Sequence, residues 1–333
     1  MKFPLLTPGK PSIFGDLFEV VASSIRTYGK SRELQKIIKE RKLSTFFQPI
    51  LNLQDESCLG YEVLNRPPAS NRFAGTEDFY DYLGRTDRVF EFERYCRETS
   101  IERFEHARRR MQLPGEIPGD VVFINVHPLV LADTSYRSGE TVRLLKRYGL
   151  PPERVVFELT EKQAVSDYAE FERVLSHYRD QGFRIAVDDA GSGYSSLKTI
   201  VSLKPEFIKL DKSLIRDLHL HEDRRRMVKL LQEFAAGSGT SIIAEGIESR
   251  AEAEFLRSEG IEYGQGYALG RPAPELRPAR FPCEEGTAEP ETEKSVHLSA
   301  SAAINPSELT ALNLRFESFG NTHGSSGFSK GET

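Results

Sequence analysis

Between Ser44 and about Pro282, short β-branched and aromatic runs alternate with helical stretches, which restricts the chain to few architectures. The runs are STFFQPILNL (44–53), CLGYEVLN (58–65), VVFINV (121–126), RVVFEL (154–159), FRIAVDD (183–189), EFIKLD (206–211), SIIAE (241–245) and EYGQGYAL (262–269). Within 163–181, Phe171, Val174, Leu175 and Tyr178 share a helical face. Within 220–236, Met227, Leu230, Leu231 and Phe234 do the same, and Gly237 follows as the stop. Eight strand-like runs separated mostly by helices indicate an α/β fold, a TIM-type (β/α)8 barrel. One connection departs from that pattern. Only Gln54 to Ser57 join the first two runs, whereas a parallel crossover needs about a dozen residues or more. The first strand is therefore expected antiparallel to the second, in a modified barrel.

The flanks differ in character. Residues 1–43 read as a helical N-terminal extension, with Phe14, Leu17, Phe18, Val21 and Ile25 on one face and Leu34, Ile37 and Ile38 on a shorter second stripe. Residues 44–282 form the barrel unit. Residues 283–333, rich in Glu, Thr, Ser and Gly, read as a flexible, largely disordered tail.

Composition excludes several classes. With 29% charged residues and no apolar run near the roughly 20 residues of a membrane helix, membrane insertion is not expected. The N-terminus lacks the apolar stretch of a signal peptide, so a cytoplasmic protein is expected. Cys58, Cys96 and Cys283 have neither zinc spacing nor a disulfide framework. A net charge of -5 gives no reason to expect binding to a nucleic-acid polymer.

In a β/α barrel the functional face lies at the C-terminal ends of the strands, and polar residues recur there. The second run carries Glu62 and Arg66, the third ends in Asn125, and the fourth in Glu158, with Glu161 a turn later. The fifth ends in Asp188 and Asp189. Lys209 lies near the end of the sixth, Glu245 ends the seventh, and Gln265 lies in the eighth. Each alone has a plainer reading as a helix cap, turn residue or solvated charge. Brought together, the carboxylates form a like-charge cluster that needs cations or protons. All-oxygen ligands suit Mg2+ or Mn2+ better than zinc. Adjacent Asp188 and Asp189 can serve two neighbouring ions or one ion and the loop. Lys209 can orient a water and take its proton, with Glu245 fixing its position. Gln48 and Arg66 face the same mouth, suited to a substrate phosphate and base edge. The chemistry implied is metal-assisted hydrolysis of a phosphodiester.

FFQPILNL, GYEVLNR, FINV, FELTE, VDDAGSGYSSL, FIKLDKSLI, IIAEGIES and GQGYALGRP resemble, in order and spacing, the motifs of the EAL-domain family of bacterial cyclic di-GMP phosphodiesterases. The name-giving triplet stands here as Glu62-Val63-Leu64, and Ala190 replaces a frequent Phe. The resemblance implies two ions, Mg2+ or Mn2+, held by Glu62, Asn125, Glu158, Asp188 and Asp189. It implies Lys209 at the water, Glu245 and Gln265 completing the site, and Glu161 anchoring the loop that carries the aspartates. Gln48 and Arg66 match substrate-contacting positions. The reaction implied is hydrolysis of cyclic di-GMP to linear pGpG by a homodimer. The competing readings are a catalytically silent cyclic di-GMP receptor and an interaction module.

Overall fold

The computed structural model describes residues 13–111, 121–126, 139–160, 168–191 and 196–282. Eight strands close a barrel in sequence order: β1 (Ser44–Asn52), β2 (Cys58–Arg66), β3 (Val121–Asn125), β4 (Val155–Thr160), β5 (Arg184–Ala190), β6 (Phe207–Leu210), β7 (Ser241–Ala244) and β8 (Tyr263–Gly264). β1 runs antiparallel to both neighbours, pairing along its length with β2 and through Leu51 and Asn52 with β8. The other pairings are parallel. The antiparallel first strand expected from the short Gln54–Ser57 connection is present.

Period-two alternation sorts the strand residues into two layers. Val122, Ile124, Phe157, Leu159, Ile185, Val187, Ile208 and Ile242 face the helices and form the larger core. Ile50, Phe123, Val156, Ala186, Phe207 and Ile243 fill the barrel interior, with Tyr263 packed against them. This apolar plug sets the floor of the candidate site.

Among the described residues the helices of eight residues or more are α1 (Ile13–Lys39), α2 (Thr76–Leu83), α3 (Val89–Arg110), α4 (Glu140–Tyr148), α5 (Tyr168–Asp180), α6 (Ser196–Leu203), α7 (Glu222–Ser238) and α8 (Arg250–Ser258). α1 is one continuous helix that spans both expected stripes. Leu34 and Ile37 are buried with Leu43, Phe73, Phe79, Leu83, Phe92, Tyr95 and Cys96 in a satellite core. Ile25, placed by its spacing on an apolar face, is 63% exposed.

Two readings need correction. On α7 the buried residues are Val228, Leu231 and Ala235, whereas Met227 and Leu230 are exposed. The apolar residues span two adjacent faces, and the compact Val228 and Ala235 permit the closer approach to the sheet. The helix ends at Gly239, in the left-handed region at φ 71°, not at Gly237. The eighth run, read as 262–269, is a strand only at Tyr263–Gly264. Beyond it Gly266 lies so close to Ile247 that a Cβ would stand 2.2 Å from its carbonyl oxygen, so the chain turns there.

Among the described residues no helix is long and apolar enough to cross a membrane. Glu161, Cys283 and the 283–333 tail lie outside the described residues.

Candidate active site

The barrel interior carries the site residues one layer above its apolar plug. Side chains on one face recur every second residue, so Phe123 places Asn125, Val156 places Glu158, Ala186 places Asp188 and Phe207 places Lys209. Ile243 places Glu245 and Tyr263 places Gln265 in the same way. Gln48 and Glu62 join them because they are directly paired across β1 and β2. The eight strands thus bring to one level residues scattered over more than two hundred positions.

At the centre is the Lys209 ammonium, 1% exposed. Its Nζ lies 2.7 Å from Glu158 Oε1 and 2.7 Å from Glu245 Oε1, and 3.4 Å from both Glu62 Oε2 and Asp188 Oδ1. Four carboxylates therefore converge on one cation. Glu62 is also held by two amides: Gln265 Nε2 donates to its Oε2 at 2.7 Å and Asn125 Nδ2 to its Oε1 at 3.1 Å. Among the described residues Glu158 has no partner of this kind and depends on its charged contact with Lys209.

That difference separates their proton affinities. Burial pushes Glu62 up, but Lys209 and the two amides outweigh it and hold it below the usual carboxylate range. Burial pushes Glu158 well above that range, Lys209 opposing and Glu62 and Asp188 adding to the rise. Asp188 and Glu245 are raised for the same reasons, burial first. Burial works against the charged form of Lys209, yet Asp188, Glu158, Glu245 and Glu62 together hold its pKa well above normal. The cluster has more negative charge than one ammonium neutralises, so it favours further cations.

Asp189 reaches the cluster through backbone geometry. It stands at φ 56° and Gly191 at φ 97°, both left-handed, where the β5–β6 register breaks. Asp tolerates this region better than most residues, at a cost of about 1 kcal/mol. Ligand oxygens of Asp188, Asp189 and Glu245 lie within 4.8 Å of one another. A compact all-oxygen donor set of this kind fits a hard divalent cation. Glu245, which sequence reasoning reserved for Lys209, therefore also stands among the possible ligands. Nothing local in SIIAE signals this, because it depends on the turn at Asp189.

Gln48 is buried and donates to Gly270 O at 3.2 Å. Arg66 ends β2, with its Nη1 buried and without a hydrogen-bond partner among the described residues. The structure thus brings Glu62, Asn125, Glu158, Asp188, Lys209, Glu245 and Gln265 into one contact network, with Asp189 beside it.

Fold and site define a mixed β/α barrel with an acidic mouth around a buried ammonium. The chain belongs to the EAL domain family, whose model matches residues 31–272. It is similar to a protein of Escherichia coli (strain K12) named probable cyclic di-GMP phosphodiesterase PdeA, 27% identical over 242 residues that cover 72% of this chain. It spans only 32% of that curated relative's length. A standalone versatile EAL protein from Vibrio cholerae O395, solved in a c-di-GMP bound form, superposes with a TM-score of 0.60 at 29% identity, covering 72% of this chain and 96% of that one. Klebsiella pneumoniae BlrP1, in a manganese and cyclic di-GMP complex, gives a TM-score of 0.57 at 27% identity over 69% of this chain and 56% of that one.

Proposed function

We propose that this chain is a metal-dependent phosphodiesterase that hydrolyses cyclic di-GMP to linear pGpG. The observation that carries the reading is the convergence of Glu62, Glu158, Asp188 and Glu245 on the buried Lys209 ammonium at the strand ends. The family membership and the relatives' names support the choice of substrate.

In this reading Glu62, Asn125, Glu158, Asp188 and Asp189 hold two ions, Mg2+ or Mn2+, and Glu245 is close enough to share one. When bound, the ions supply an acidified water and neutralise charge on the phosphoryl oxygens. Asn125 and Gln265 keep Glu62 ionised and oriented through their amide donors. Lys209 positions the attacking water and relays its proton, with Glu245 steering the ammonium. The uncommitted Nη1 of Arg66 is suited to a substrate phosphate oxygen. Gln48, already held by Gly270, presents its amide toward a base edge. Glu161 anchors the aspartate loop, and the active form is a homodimer.

Purified protein with Mg2+ or Mn2+ should convert cyclic di-GMP to pGpG, followed by chromatography, and Glu62→Ala should abolish turnover. Tight binding of cyclic di-GMP without pGpG in either metal would replace this reading with a receptor. Sedimentation velocity tests the dimer.

A further inference from the structure

β1 brings an aromatic ring to a mouth that is otherwise polar. Because this strand is reversed, its residues approach the mouth as their numbers fall. Ile50 pairs with Gly60 at the level of the apolar plug, Gln48 with Glu62, Phe46 with Leu64 and Ser44 with Arg66. Alternation puts Phe46 on the interior face with Gln48 and Ile50, one layer of about 7 Å above Gln48 and one below the level of Arg66. Thr45 and Phe47 face outward, where Arg103 donates to Thr45 and Phe47 packs against Phe104.

Packing within the chain does not account for the Phe46 ring. Phe47 belongs to the larger core and Ile50 to the plug, whereas neither Phe46 nor Leu64 opposite it belongs to any of the three apolar cores. Phe46 is half-buried and meets no other aromatic ring among the described residues. A ring left partly wet beside carboxylates, amides and an ammonium gains little from folding. It gains from a planar ligand that covers its face.

The neighbours on either side set which part of a ligand that would be. Gln48 Nε2 is used on Gly270 O, and its Oε1 has no partner among the described residues. That oxygen is an acceptor suited to the N–H edge of guanine. Above the ring, the unpartnered Nη1 of Arg66 is suited to a phosphate oxygen. Between an acceptor for a base edge and a donor for a phosphate, Phe46 stands where the face of the base would lie.

We propose that Phe46 is a specificity-determining residue of this site, the platform on which one guanine of cyclic di-GMP stacks while Gln48 reads its edge. The inference takes its ligand from the phosphodiesterase reading and its residue from the register of β1. The chain contains no Trp, so Phe46→Trp places a single indole at this position. Rapid mixing of that variant with cyclic di-GMP and Mg2+ should quench the indole emission in the binding phase, before turnover. Stacking acts alike on bound substrate and transition state, so Phe46→Ala should raise KM at least about tenfold with kcat within about twofold. Phe46→Leu keeps the apolar bulk without a π-face and should follow Phe46→Ala, whereas Phe46→Trp should keep the parent's KM. The position is half-buried and outside the cores, so all three variants should melt with the parent. If the parent binds cyclic di-GMP without cutting it, calorimetric dissociation constants replace KM and the same ratios hold. Unquenched emission in a Phe46→Trp variant that binds cyclic di-GMP, or a parental KM in Phe46→Leu, would overturn the assignment and leave the substrate reading standing. A folded parent that neither binds nor cuts cyclic di-GMP would overturn both.

Discussion

Gln265 Nε2 donates to Glu62 Oε2 at 2.7 Å across the closing strands of the barrel, although the two residues lie 203 positions apart. Against the upward push of burial, the Lys209 charge, this bond and the one from Asn125 together hold Glu62 below the usual carboxylate range, while its neighbours are pushed above it. Gln265→Leu should therefore lower Mn2+ affinity by about 10- to 100-fold, the usual cost of losing a group that orients a ligand. Calorimetric titration with Mn2+ measures it, and an unchanged affinity would show that Glu62 does not depend on the amide.

Lys209→Met separates holding a cation from moving a proton. The variant removes a positive charge from among four carboxylates, so Mn2+ affinity should not fall. Turnover to pGpG should drop by at least about a hundredfold, the range for a lost general base or acid. Without metal the variant should also lose about 3–5 kcal/mol, because buried carboxylates are left unpaired. If affinity and turnover fall in equal proportion, Lys209 has only a structural role.

The raised carboxyls set a pH dependence. Glu158, Asp188 and Glu245 have folded pKa values above their unfolded ones. Their stabilising contribution is thus complete below the ordinary carboxylate range and is lost as pH rises through the raised values. Glu62 acts oppositely, losing its contribution as pH falls through its depressed value. Three raised groups outnumber one depressed group, so a divalent cation that takes the protons' place should stabilise more at higher pH. Differential scanning fluorimetry should show a larger Mn2+-induced rise in melting temperature at about pH 8 than at about pH 5. Equal rises would contradict this.

On α7 the inward and outward faces can be told apart by charge. Val228 is 3% exposed and Leu230 61%. Val228→Asp should cost about 3 kcal/mol or more by burying a carboxylate, and Leu230→Asp should stay within about 0.5 kcal/mol. Urea denaturation compares them directly.

These residues also show what was legible before the structure. Strand order and polar strand ends were readable because alternation is local: FEL or FIK displays its own inward residue. The antiparallel β1 was readable from the length of one connection. The face of α7 was not, because Met227 and Leu230 are as apolar as the residues that bury, and only the distance to the sheet chooses between them. The fourfold contact of Lys209 was not either, since it depends on the stagger between strands. Nor was Glu245 as a neighbour of Asp189, which needs the left-handed backbone at φ 56°.

The reversed first strand also bears on the order of assembly. β1 and β2 are joined by a few residues, so their hairpin closes a short loop at little entropic cost. The other edge of β1 meets β8 only at Leu51 and Asn52, more than two hundred residues away from its partners. During synthesis the hairpin can form as soon as it emerges, while the ring stays open until Tyr263 and Gly264 arrive. Since Gln265 follows them directly, Glu62 acquires the second of its two amide partners only when that seam shuts, and the acidic mouth is completed last.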